Sequence, residues 1–168
     1  MQPHRLLLIR HARAAAGPVD ADRPLTEQGL RQAAAIGTWL IEAGLVPDTT
    51  LVSPARRAAQ TWGEASAALE PGRPPIVDSR LYDNTVEALL AAVRETSEGV
   101  RTLAVVGHNP SVAELARTLG DGRGDRVARR AVEAGFPAGG VAVFDLAAPF
   151  ADVTRGSATL TDFRVPGD

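Results

Sequence analysis

The chain has no cysteine and no lysine, a single methionine, and only 4% aromatic residues among 168. Lack of cysteine excludes disulfides, thiolate zinc sites, iron–sulfur clusters and every thiol nucleophile, including that of cysteine-dependent phosphatases. All 18 basic residues are arginine. Alongside the abundance of alanine, this reads as a GC-rich coding bias, so the number of arginines carries no functional weight. No run of 18 apolar residues occurs, so no membrane-spanning helix is expected. The apolar run Leu6–Ile9 is too short for a signal peptide, and a cytoplasmic setting is the expectation. A formal charge of −2 and a pI near 5.9 supply no bulk positive field for nucleic acid. No acidic cluster or metal-spaced histidine set stands out, so neither a metal nor a cofactor is expected.

What is present is ordinary for a globular chain: 45% apolar and 23% charged residues. The length fits one domain, 1–168, able to bury a full core. Arg5–Ile9 reads as a short buried strand and Ala12–Pro24 as a loop. Thr26 is placed to cap a helix to about Ala43. Its expected apolar face is Leu30, Ala33, Ala34, Gly37, Leu40 and Ile41, with Gly44 closing it. Thr50–Ser53 reads as a strand and Arg56–Leu69 as a helix stopped by Pro71, Gly72, Pro74 and Pro75. Ile76–Asp78 reads as a minor strand, and Asn84 or Thr85 as the cap of a helix through about Arg94. Thr102–Gly107 is a core strand, and Pro110 sits in the first turn of a helix through Leu119. Asp121–Gly124 reads as a turn, Asp125–Ala134 as a helix, and Val141–Leu146 and Ala158–Val165 as the last strands. Strands alternating with helices predict an α/β fold: a three-layer sandwich with a largely parallel central sheet covered on both faces.

In such sheets, ligands sit at the carboxyl ends of strands. Arg10-His11 follows the first strand, Ser53-Pro54-Ala55-Arg56-Arg57 the second, and Gly107-His108-Asn109-Pro110 the central one. Two of the three histidines thus close core strands, with arginines beside them. Unpaired, such groups would stack positive charge on one rim, and the pattern points to an anion site.

These residues, with Leu25-Thr26-Glu27-Gln28-Gly29 and the continuation Ala58-Ala59-Gln60-Thr61, resemble the histidine phosphatase superfamily in order and spacing from about Leu6 to Leu146. The short length and Arg23-Pro24-Leu25-Thr26 resemble its compact bacterial phosphohistidine phosphatases of the SixA type. The resemblance implies a phosphoglycerate mutase-like fold and a metal-independent phosphatase. His11 would be the nucleophile, Arg10 and Arg57 would bind phosphoryl oxygens, and His108 would be the second pocket histidine. Arg57 is taken over Arg56 because the family's arginine lies four positions after the serine of Ser-Pro. Ala12 departs from the glycine usual there and adds one methyl group near the phosphate.

Elementary chemistry agrees. Phosphoryl transfer is catalysed mainly by positioning and charge stabilisation. Arginine forks match phosphate oxygens, and an imidazole with a pKa near 6.5 is a nucleophile at neutral pH. The general acid is less clear. Asp83 is the candidate, and a helix-cap role is the alternative. Arg23 would reach the phosphate or form a surface salt bridge. Asp20-Ala21-Asp22 lacks the preceding strand of an aspartate phosphatase motif and is set aside. Arg126, Arg129 and Arg130 read as a solvated helix face, Trp39 and Trp62 as packing, and Phe136–Gly140 as backbone lining the pocket. The expected substrate is phosphohistidine on a phosphorylated protein. A small phosphomonoester substrate, or a non-catalytic phosphate-binding module, is the alternative.

Overall fold

Strand β1 (His4–Arg10) divides the interior in two, because successive side chains leave a strand on opposite faces. Leu6 and Leu8 pack into one apolar cluster, Leu7 and Ile9 into another, all fully buried. The structure, a computed structural model, describes residues 3–168. The first two residues of the expected 1–168 domain lie outside the described residues.

The remaining strands are β2 (Thr49–Val52), β3 (Ile76–Val77), β4 (Thr102–Gly107), β5 (Gly120–Gly124), β6 (Val141–Leu146) and β7 (Ala158–Arg164). They form one seven-stranded sheet in the order β3-β2-β4-β1-β6-β7-β5. The first four in that order run parallel, β6 is antiparallel to both β1 and β7, and β5 is parallel to β7. Helices α1 (Glu27–Glu42) and α2 (Arg56–Ser66) cover one face with Ile36, Leu40, Ala58, Trp62 and Ala65. The short α3 (Arg80–Asp83), α4 (Val86–Arg94), α5 (Ser111–Leu119) and α6 (Arg126–Ala134) cover the other with Leu81, Leu89, Val112, Leu115 and Val132. The expected three-layer α/β sandwich is therefore present.

Local signals place most boundaries. Thr26 caps α1 by accepting from the Gly29 N–H at 3.0 Å, Thr85 caps α4 through Ala88, and Asp125 caps α6 through Ala128. Gly44 takes the left-handed conformation (φ 68°) that ends α1. Four expectations need correction. The buried face of α1 is Gly29, Gln32, Ala33, Ile36, Gly37 and Leu40, whereas Ala34 and Ile41 face solvent. Helix α2 ends at Ser66, not Leu69. Asp121–Gly124 is no simple turn: glycines at φ 83° and 92° let the backbone pair with β7 as an edge strand. Residues Arg80–Asp83 form a helical turn where no element was expected.

Close approach of α1 and α2 depends on Gly37, where a Cβ would lie 2.0 Å from the Ala65 carbonyl oxygen. Gly37→Ala is expected to destabilise the protein by about 2 kcal/mol or more, since backbone must shift. Exposed Gly63, inside α2 with open space around it, should respond oppositely. Gly63→Ala should gain about 0.5–1 kcal/mol from helix propensity. Urea unfolding of both variants checks the pair.

Candidate active site

Pairing continues past the strand ends and brings three segments to one rim. The His11 N–H donates to the Gly107 carbonyl at 3.0 Å, and the Ser53 N–H to the Val106 carbonyl at 3.1 Å. β6 runs against β1, so the Phe136–Gly140 segment that feeds β6 arrives at the same rim. There the Gly139 N–H donates to the Arg10 and His11 carbonyls at 3.2 and 3.1 Å. Arg10, His11, Arg57 and His108 are thereby brought together from β1, α2 and β4.

The two imidazoles lie 5.2 Å apart between centroids, at 57°, and both are buried. His11 Nδ1 is 2.7 Å from the Ala12 carbonyl oxygen. A carbonyl only accepts, so Nδ1 carries the proton and the lone pair resides on Nε2. Burial pushes the His11 pKa from its ordinary 6.5 down to about 4. The bond to Ala12 opposes this, and the charges of Arg57, Arg10 and Arg23 add to it. His108 is pushed down to about 3, first by burial and then by His11 and Arg57. Its Nε2 meets the Ser53 hydroxyl at 2.7 Å, while its Nδ1 is buried with no partner among the described residues. Arg10 donates from one terminal nitrogen to the Phe136 carbonyl at 3.0 Å, and its buried Nε also lacks a partner among them.

Arg57 is almost enclosed, whereas Arg56 is exposed. The Arg57 fork donates to the Asp20 carbonyl at 2.7 Å and to Asp20 Oδ2 at 3.0 Å. Arg23 donates to Asp20 Oδ1 at 3.1 Å and to the Ala15 carbonyl at 2.9 Å. Of the two uses considered for Arg23, the salt bridge is the one present, although its charge also reaches His11. Tyr82 donates its hydroxyl to Asp20 Oδ2 at 2.6 Å, and its ring meets His108 edge-on at 5.9 Å. These donors hold the Asp20 carboxyl far below the usual carboxylate range, Tyr82 contributing most, then Arg23 and Arg57.

Asp83 is not drawn into this network. It is exposed at the end of α3, and its side chain makes no hydrogen bond or ion pair with any described residue. It does not cap α4 either, since Thr85 does. The Ala12 methyl packs with Leu25 and Ala33 in a small apolar cluster, and the Ala12 N–H donates to Thr61 Oγ1 at 2.9 Å. Sequence reasoning missed Asp20 and Tyr82. It also missed Asn84, whose left-handed backbone (φ 62°) lets its amide hold the Asn109 carbonyl and the Ser111 N–H behind His108. A groove of about 630 Å³ borders Arg10 and Asn109, walled by Phe136, Pro137 and Phe163.

Residues 6–131 match the histidine phosphatase superfamily, branch 1. An uncharacterised Mycobacterium tuberculosis protein, Rv1276c, is 35% identical over 161 residues, covering 94% of this chain and 99% of that protein. The phosphohistidine phosphatase SixA of Escherichia coli is 32% identical over 124 residues, covering 68% of this chain and 73% of that one. A solved structure from Nakamurella multipartitia, provisionally assigned as a SixA phosphohistidine phosphatase, superposes with a TM-score of 0.87 at 29% identity, covering 99% and 98% of the two chains. The family match spans most of the chain and agrees with the full-length relative and the shared fold: the chain belongs to branch 1 of the histidine phosphatase superfamily and is a hydrolytic phosphatase.

Proposed function

We propose that the protein removes the phosphoryl group from phosphohistidine on a partner protein, by way of a covalent phosphohistidine on His11. The observation that carries this reading is a neutral His11 whose proton is pinned on Nδ1, with its Nε2 lone pair among three arginine charges. The substrate ring takes a proton from water on its free nitrogen; Nε2 then attacks phosphorus, the P–N bond breaks, and the ring leaves as neutral imidazole. Water then attacks the phosphorylated His11, releasing inorganic phosphate and restoring Nε2. Arg10 and Arg57 grip the phosphoryl oxygens. The buried His108 Nδ1 and Arg10 Nε, which have no partner among the described residues, acquire one in the bound anion. No step calls for a metal.

The choice of leaving group follows from proton supply. Asp20 is bonded into the cluster, but its donors keep it ionised and unable to give a proton. Asp83, the acid expected from sequence, stays outside the hydrogen-bonded network. An alkoxide needs a positioned acid. An imidazole, whose conjugate acid has a pKa near 6.5, leaves with far less help. A panel of a phosphohistidine protein, a sugar phosphate and an aryl phosphate, run with chelator present, tests this. The phosphohistidine protein should give the highest kcat/KM and the sugar phosphate the lowest. A sugar phosphate at the top would replace this reading with a small-molecule phosphomonoesterase, and loss of all turnover on chelation would reject the metal-free route.

Two further outcomes follow from the assigned roles. His11→Ala should abolish turnover, and an alkaline quench of wild type during turnover should trap phosphate on His11. Arg57→Ala should lower kcat/KM by more than a hundredfold, about 3 kcal/mol, while exposed Arg56→Ala stays within several-fold. Equal losses at both positions would reject the assignment.

The pH profile is also constrained. The nucleophile must be neutral, and its pKa is lowered to about 4. Corrected for ionisation of the substrate, kcat/KM should hold from pH 8 down through 6.5 and fall only as pH approaches 4. Arg57→Ala removes a charge that lowers this pKa, so its residual activity should show the acid limb at higher pH. A wild-type limb at 6.5 would mean that His11 is not held neutral in this way.

A further inference from the structure

The 3-10 turn Asp20–Asp22 lies within the segment joining β1 to α1. Asp20 is half exposed, yet it accepts from three residues on three separate parts of the chain: Arg57 on α2, Tyr82 on α3 and Arg23 just after the turn. It holds Arg57 at two points, the terminal nitrogens meeting its backbone carbonyl at 2.7 Å and its carboxylate at 3.0 Å. A guanidinium has five N–H groups in one plane. Fixing one on each terminal nitrogen stops the fork from rotating about its stem and sets its orientation before an anion arrives.

We propose that Asp20 is a positioning residue for phosphoryl transfer: it sets the Arg57 fork before substrate arrives, while Tyr82 and Arg23 hold its carboxylate in place. The inference rests on the phosphatase reading, in which Arg57 grips the phosphoryl group. The contrary role would be an internal anion that blocks the site and is expelled by substrate. The backbone grip argues against it. The Asp20 carbonyl holds Arg57 at the shorter of the two distances and cannot leave unless the whole turn moves. Tyr82 extends the arrangement to the opposite side, because the ring carrying the bonded hydroxyl stands edge-on to His108.

The test measures kcat/KM on an aryl phosphate and the Kd of tungstate, a phosphate analogue, by calorimetry. Asp20→Ala should lower kcat/KM by about tenfold to a hundredfold, the scale of a misplaced contact group, and weaken tungstate in the same direction. Asp20→Asn keeps an acceptor oxygen for Arg57 and should recover most of the loss. In an Arg57→Ala background, Asp20→Ala should cause almost no further loss, since its effect runs through Arg57. Tighter tungstate binding in Asp20→Ala would overturn the proposal in favour of a blocking anion. Undiminished additivity with Arg57→Ala would overturn it in favour of a general structural role. An Arg57→Ala enzyme with normal kcat/KM would instead sink the assignment on which the inference rests. If Asp20→Ala does not fold, Tyr82→Phe reads the same coupling. A few-fold loss that vanishes in the Arg57→Ala background supports the proposal, and no loss overturns it.

Discussion

Parallel pairing of β1 with β4, and of β4 with β2, is the constraint on which the rest depends. β1 and β4 are apolar on both faces, with Leu6 to Ile9 and Leu103 to Val106 wholly enclosed. Polar side chains of these two strands therefore enter only at their ends. Because the strands are parallel and nearly in register, their ends meet on one rim. Two ladder-like bonds beyond the strands, His11 to Gly107 and Ser53 to Val106, carry the backbone order into the site. The His11–His108 spacing is thus set by the sheet. The antiparallel turn of the chain at β6 adds the Phe136 carbonyl, which receives both Arg10 and Asn109.

That rim then faces an electrostatic problem. Three arginines crowd two imidazoles in a partly buried space, and the structure meets this in two ways. The imidazoles stay neutral, their pKa values moved well below 6.5. Such shifts act against stability in acid. A histidine whose folded pKa lies below its unfolded value loses stability as pH falls below 6.5, and the loss is complete only below the folded pKa. The second response is Asp20, whose carboxylate meets two of the three arginines. On the reading proposed above, that contact also prepares Arg57 for its anion.

Much of this was legible in the sequence where chemistry is tied to a strand end. Arg10-His11 and His108 stand out because they directly follow apolar runs, Arg57 stands out only through its place in the family's Ser-Pro motif, and the caps at Thr26, Thr85 and Asp125 follow local rules. Asp20 and Tyr82 escaped for a physical reason. Asp20 lies in a polar loop with no periodicity. Tyr82 lies on a one-turn helix too short to leave a hydrophobic pattern, and the two meet across 62 positions of sequence. Asp83 is the expected acid only because the resemblance places a carboxylate in the loop after the second helix, but the residue of that turn that reaches the site is its neighbour Tyr82. Asp121–Gly124 reads as a turn in the sequence because glycines mark turns, yet it lies within strand β5. Here Gly124 admits a close approach to Leu160, where a Cβ would lie 2.1 Å from the carbonyl oxygen.

On the reading proposed above, substrate preference follows from how these pieces limit one another. Arginines sufficient to hold a phosphoryl group also hold a nearby carboxylate ionised, so the carboxylate bonded into this site is a poor proton donor. An enzyme acting on alkyl phosphates needs a carboxylic acid shielded from such donors, or one that swings in with a lid. Asp20 is bound to Arg57, Arg23 and Tyr82 and serves neither purpose. A leaving group that departs without a strong acid removes the conflict. Phosphohistidine offers such a group. On the proposed reading, the arginines that bind the phosphoryl group also keep Asp20 ionised, and so favour a weakly basic leaving group.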